Sequence, residues 1–196
     1  MLACWAEFVL GAVGKTALDP RRVYATSWAM GETAHWVAGK HILAPDDTFA
    51  TAILIETGLI ALMYALSEVY VALTAHKPQV AVVRYERSCL GFDHQEVGAA
   101  SLRQFRFSEE AAQQAGTHHE PLLTLGMTGK VLRAASAAVA QAGGDFGLGG
   151  IQEAVNQQVL EGALLRPEHE PELLAVARSS FDRALEFGYG SGSQVA

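Results

Sequence analysis

Apolar residues recur along this chain at intervals of three and four, and no stretch reads as a run of strands. Ala, Leu, Glu and Gln, all good helix formers, are prominent throughout. The chain is therefore expected to be all-α. One face of a helix after Asp19 shows the pattern well: Ser27, Gly31, Ala34 and Ala38 are spaced four, three and four. Small side chains on one face let a neighbouring helix approach closely.

Helix boundaries follow from capping chemistry. A first helix is expected over Ala3 to Val13. Asp19 caps and Pro20 opens a second, and Pro45 with Asp46 and Asp47 starts a third, its acids favoured by the helix dipole. One or two helices follow across Ser67 to Glu86, with Pro78 at a joint. Asp93 begins a helix reaching Phe105, and Ser108 caps another with Glu109 and Glu110 in its first turn. Pro121 is expected to open a long Ala-rich helix ending near Gly143. The run from Gly143 to Gly150 then reads as a flexible joint. Two helices follow, roughly Ile151 to Leu164 and Glu168 to Phe187, before a Gly- and Ser-rich tail.

At 196 residues, half of them apolar, the chain can bury a substantial core. Its net charge of −7 argues against non-specific nucleic-acid binding, which needs a cationic footprint. Cys4 and Cys89 have no metal-type spacing and read as reduced thiols in the cytosol. The apolar segment Phe49 to Leu66 is long enough to raise a membrane span. Glu56 near its middle would cost ~3 kcal/mol there, so a core helix or helix pair is the expectation.

Three motif-like strings are set aside. Gly11-Ala-Val-Gly14-Lys15-Thr16 resembles the end of a P-loop, but the earlier glycine it requires is Val9 and no strand precedes it. Gly-Gly-Asp-Phe-Gly at 143–147 resembles a diguanylate cyclase signature without its acidic follow-on or its α/β surroundings. Ser27 and the histidines have no nucleophile-elbow context.

The densest chemistry lies between Glu86 and Pro121. It reads Glu-Arg-Ser-Cys-Leu-Gly-Phe-Asp-His-Gln-Glu-Val-Gly-Ala-Ala, then a helical segment, then Thr-His-His-Glu-Pro. In that order these residues resemble the HDOD domains, bacterial signalling relatives of the HD-type metal-dependent phosphohydrolases. The resemblance covers about Val23 to Ala140 and implies an HD-domain-like helical bundle with C-terminal helices. With the glycine run as the internal boundary, the chain is expected to divide into a helical domain over 1–142, the joint at 143–150, a helical pair at 151–187 packed on the bundle, and a disordered tail at 188–196. An HDOD domain carries a further helical lobe ahead of the helix at Val23. The chain is thus expected to be either a fragment or a shortened relative, with an apolar face that favours homo-oligomers.

Residue by residue, the resemblance places the first metal His of the superfamily at Thr26 and the His-Asp pair at Ile55-Glu56. The late Asp falls near Gly129. Only Glu56 among these could bind a metal. His94 and the pair His118-His119 remain as further candidates, and three imidazoles with a carboxylate suit zinc or iron if they converge. The alternative is that these histidines are hydrogen-bonded structural groups and that Glu56 has a basic or histidine partner. Glu86 is expected to form a structural salt bridge or helix cap.

The implied function is a non-catalytic, cytoplasmic signal-transduction domain with a degenerate metal site at Thr26, Ile55, Glu56, His94, His118, His119 and Gly129. It would use no cofactor and no metal; were one bound, Glu56, His94 and His118 would hold it. Its partners would be signalling proteins or a small regulatory ligand, with no nucleic acid and no membrane. The alternative is a divergent HD-type phosphohydrolase built on Glu56, His94 and His118 or His119.

Overall fold

The computed structural model describes residues 19–41, 43–74, 79–146 and 154–190. The helix expected over Ala3 to Val13 and the joint at Pro78 lie outside them. Among the described residues every regular element is helical.

Helix α1 (Pro20–Ala38) is the axis of the fold, packed by α2 (Pro45–Leu54), α7 (Met127–Gln141) and α9 (Glu170–Gly190). Its start is as expected: the Asp19 carboxylate accepts the Arg21 N–H at 3.0 Å, with proline in the first turn. Ser27, Ala34 and Ala38 are buried, and a Cβ on Gly31 would sit 2.9 Å from the Phe49 ring. The small face is where α2 comes close.

The apolar segment Phe49 to Leu66 is a helix pair. Helix α2 stops at Leu54, residues 55 and 56 turn, and α3 (Thr57–Thr74) begins. Within α2 the Thr48 and Thr51 hydroxyls donate to the carbonyls of Ala44 and Asp47, which satisfies them inside the core. The span from Pro45 to Leu66 is long and apolar enough to cross a membrane by length and composition, yet 67% of its most apolar window is buried against the rest of the protein.

Helix α3 packs on α5 (His94–Gln104) through glycine. A Cβ on Gly58 would lie 1.8 Å from the His94 carbonyl oxygen and 2.4 Å from the Gly98 amide nitrogen. Only hydrogen fits there, so the two backbones touch. This contact holds the α2–α3 corner against the start of α5.

Helix α4 (Gln79–Leu90) ends on Gly91, which takes the left-handed φ of +81°. Asp93 then caps α5 by accepting the Glu96 N–H at 2.9 Å, and Ser108 caps α6 (Glu109–Thr117) through the Ala111 N–H. The Asp93 and Ser108 boundaries match their sequence signals, whereas α4 runs one turn past the expected end at Glu86.

Pro121 does not open the long helix. It precedes a 3₁₀ turn, Leu122–Thr124, and α7 begins only at Met127 after extended backbone at Leu125 and Gly126. Proline fits the first residue of a helix, but equally the lead-in to a tight turn. The far end is as expected, with Gly143 at φ +94° and the Gly144 N–H returning to the Val139 carbonyl.

The first part of the expected flexible joint is held. Arg22 donates to the Asp145 carboxylate and the Gly143 carbonyl, each at 2.6 Å, and Phe146 is buried. Residues 147–150 lie outside the described ones. Helix α8 (Gln157–Gly162) is shorter than its sequence pattern suggests, because the Asn156 side chain caps it through the Val159 N–H. Helix α9 begins after a 3₁₀ turn at Pro167–His169 and continues through Gly190, so the first residues assigned to the tail are helical. Residues 191–196 lie outside the described ones.

Candidate functional site

Four side chains from three places in the sequence meet at the α3–α5–α6 junction. Glu56 comes from the α2–α3 corner, His94 opens α5, and His118 and His119 follow the last turn of α6. One ligand atom from each lies within 4.8 Å of all the others. Glu56 Oε1 is 3.4 Å from His118 Nε2, and Glu56 Oε2 is 3.9 Å from His94 Nε2. The His118 and His119 ring centroids are 4.0 Å apart, and His119 meets His94 edge-on at 4.9 Å.

Local structure explains each placement. The Gly58–Gly98 contact brings the corner bearing Glu56 beside His94. The Asp93 cap fixes where α5 starts, and Arg87 holds the second Asp93 oxygen at 2.6 Å. At the end of α6, Arg133 from α7 donates to the carbonyls of His118 and Glu120, where the helix dipole favours a cation. The Gln95 side chain accepts the His119 N–H at 2.8 Å.

A second layer orients the imidazoles. His118 Nδ1 lies 2.8 Å from the Ala115 carbonyl and His94 Nδ1 lies 2.7 Å from Glu86 Oε2. Both partners only accept, so each Nδ1 carries the hydrogen and, in the neutral ring, each Nε2 presents its lone pair. Those two Nε2 atoms and Glu56 Oε2 are buried with no hydrogen-bond partner. All three face the centre of the cluster. Buried polar atoms are ordinarily paired, so three convergent orphans with metal-ligand chemistry fit a divalent cation.

The charges of the cluster act on one another. Burial works to raise the Glu56 pKa, but the adjacent His118 and then His94 imidazoles outweigh it and keep the carboxyl below its usual range. Burial works to lower that of His94, but its bond to Glu86 and the charges of Glu56, Glu86 and Asp93 raise it. His119 is pushed well below the ordinary histidine value by burial and by His118, His94 and Arg133, so it stays neutral. A metal needs neutral imidazoles and an ionised carboxylate, so a cation bound here would displace the proton that Glu86 and Glu56 favour on His94.

The remaining sequence candidates are elsewhere. Thr26 is buried on α1 and donates to the Asp145 carbonyl at 3.0 Å, which ties it to the glycine run. Ile55 is a core residue beside Glu56. Gly129 is buried in α7 against Gln114 and Leu125. None of the three belongs to the four-donor group. Glu86 does cap, since it accepts the His94 N–H at 3.0 Å, and it also holds the ring and the Tyr70 hydroxyl. Tyr70, Gln95 and Arg133 had no individual signal; a buried carboxylate at Glu86 required a donor, but its spacing names none.

A groove of about 700 Å³ lies apart from this cluster, between α1, α2 and α9. Glu32, His35, Asp46, Phe49 and Arg183 are among its lining residues.

Comparison with known proteins places the fold and the family. The protein named "Putative phosphohydrolase" from Shewanella amazonensis SB2B shares the fold, with a TM-score of 0.65 over 92% of this chain and 70% of its own, at 17% identity. No curated protein matches the chain. The HDOD domain model matches residues 2–121, which include Glu56, Glu86 and all three histidines of the cluster. That match takes in more than half of the sequence, and the chain belongs to the HDOD domain family.

Proposed function

We propose that this chain is a non-catalytic HDOD regulatory domain whose four-donor cluster is a closed cation site. The observation that carries this is the combination of a complete donor set and burial. Glu56, His94 and His118 are 3%, 2% and 8% exposed, and His119 is half-buried. Four protein donors fill a tetrahedral shell, whereas a hydrolytic metal keeps one position open for water and substrate. Zinc or iron suits three imidazoles and a carboxylate. Bound there, it would supply charge neutralisation and cross-link three helix ends. Glu56, His94, His118 and His119 would hold it. Signalling by such a domain would run through contacts with proteins or a small ligand, for which the groove between α1, α2 and α9 offers space.

The second reading is a divergent metal-dependent phosphohydrolase, favoured by the convergence of the same four donors. An assay of phosphodiester hydrolysis separates the two, using a chromogenic diester with the chain loaded in turn with Mn²⁺, Fe²⁺ and Zn²⁺. The regulatory reading expects no turnover above that of Glu56→Ala. Metal-dependent turnover abolished by Glu56→Ala and by His94→Ala would establish the enzyme instead.

A further inference from the structure

We infer that Glu86, braced by Tyr70, is the positioning residue that makes His94 a donor into the cluster; the inference rests on reading that cluster as a cation site. Glu86 is a buried carboxylate that spends both oxygens on this one task. Oε2 accepts the His94 backbone N–H at 3.0 Å and faces the Nδ1 of the same residue at 2.7 Å. Gripping backbone and ring together fixes both the start of α5 and the rotation of the imidazole. Oε1 accepts the Tyr70 hydroxyl, which stops the carboxylate from turning.

Tyr70 is suited to the role. Burial, the charge of Glu86 and its hydrogen bond raise the phenol's pKa far above its ordinary value, so it remains a donor. The result is a chain of contacts from α3 through α4 to α5: phenol, carboxylate, imidazole. It ends with Nε2 of His94 buried, without a hydrogen-bond partner and 3.9 Å from Glu56 Oε2, too far for a hydrogen bond between them.

His118 provides an internal contrast. Its Nδ1 is held by a neutral backbone carbonyl, whereas that of His94 is held by a carboxylate. A carboxylate partner raises the basicity of the opposite nitrogen, and losing such a partner typically weakens metal affinity 10–100-fold. The contrast makes His94 the stronger imidazole donor of these two.

A purely structural role for Glu86, as a cap for α5, would leave the ring's tautomer and the cation affinity alone. The test measures both. Zinc affinity is obtained by chelator competition for wild type, Glu86→Gln and Tyr70→Phe. The His94 tautomer is read from long-range ¹H–¹⁵N spectra of metal-free protein labelled at histidine, at a pH where the ring is neutral. Glu86→Gln retains an acceptor and a shape close to the original, so the fold is kept while the charge is lost.

The expected result is a roughly tenfold or greater loss of zinc affinity in Glu86→Gln, with a smaller loss in Tyr70→Phe. Wild type should carry the Nδ1–H tautomer, and Glu86→Ala a mixture. Unchanged zinc affinity in both conservative variants would overturn the inference. If wild type itself binds no zinc, the cation reading fails separately and the tautomer alone decides: Nδ1–H lost in Glu86→Ala sustains positioning, and a mixed tautomer in wild type ends it.

Discussion

Leu164 sits in a conformation that side chains avoid. Its φ is +52°, it closes the end of α8, and its side chain is 67% exposed. The Leu165 N–H reaches back to the Leu160 carbonyl at 2.8 Å, the bond of a left-handed helix ending. An L-residue costs ~1–2 kcal/mol there, and glycine avoids that at some loss of unfolded-state restriction. Leu164→Gly should therefore stabilise the chain by about 0.5–1 kcal/mol, read as a rise in the denaturant midpoint with unchanged slope. A fall would mean that the exposed leucine makes a contact worth more than the strain.

The same scale shows what the sequence could and could not disclose about the site. His94, His118, His119 and Glu56 were visible as residue types capable of binding a metal. Counting along the family's four core positions left only Glu56, because Thr26, Ile55 and Gly129 occupy the others. The geometry gathers three more donors from outside those positions. Their convergence depends on the Gly58–Gly98 contact and on the turn of α6 into His118-His119, neither of which has a one-dimensional signature. Tyr70 was illegible for a related reason: its role is defined only by where Glu86 ends up.

Among the elements, the α3–α5 crossing is the most exacting. Adding a methyl at Gly58 meets two backbone atoms, the His94 oxygen and the Gly98 nitrogen, neither of which can rotate away. Gly58→Ala should cost at least ~2–3 kcal/mol, at the upper part of the usual overpacking range. It should also spread the cluster, so that zinc no longer raises the thermal midpoint. Gly126→Ala is the control, since nothing lies within 4 Å of a Cβ there.

Helix ends were legible wherever one side chain supplies the cap. Asp19, Asp93 and Ser108 all act as their spacing predicted. Pro121 was misread because the residue before a 3₁₀ turn and the first residue of a helix ask for the same fixed φ. Asn156 was overlooked within an apolar pattern that runs on past it, and that pattern alone made α8 seem longer.

At the scale of the molecule, α1 and α9 are joined by Glu32 and Arg183, 2.5 Å apart and distant in sequence. Burial raises the Glu32 pKa, but hydrogen bonds from Ser180, Trp28 and Arg183 and the charge of Arg183 outweigh it, and the net shift is downward. A carboxyl lowered on folding adds stability above its unfolded value, near 4.5, and loses it as pH falls through the folded value. Glu32→Gln should therefore flatten the acid limb of a stability–pH curve below pH ~4.5 relative to wild type. Equal slopes would show that the pair contributes nothing at this junction. Solvent screening keeps the effect modest, since the site is largely open.

Among the described residues the helical class was legible, because periodicity and capping are local. The assembly of a cation site was not, since it depends on three helix ends meeting. The most direct measurement is the metal content of the chain after loading with Zn²⁺ and extensive desalting, beside Glu56→Ala and His94→Ala. A closed four-donor site predicts about one ion per wild-type chain and less than about a tenth in either variant. Wild type without retained metal, or metal retained equally by both variants, would contradict it.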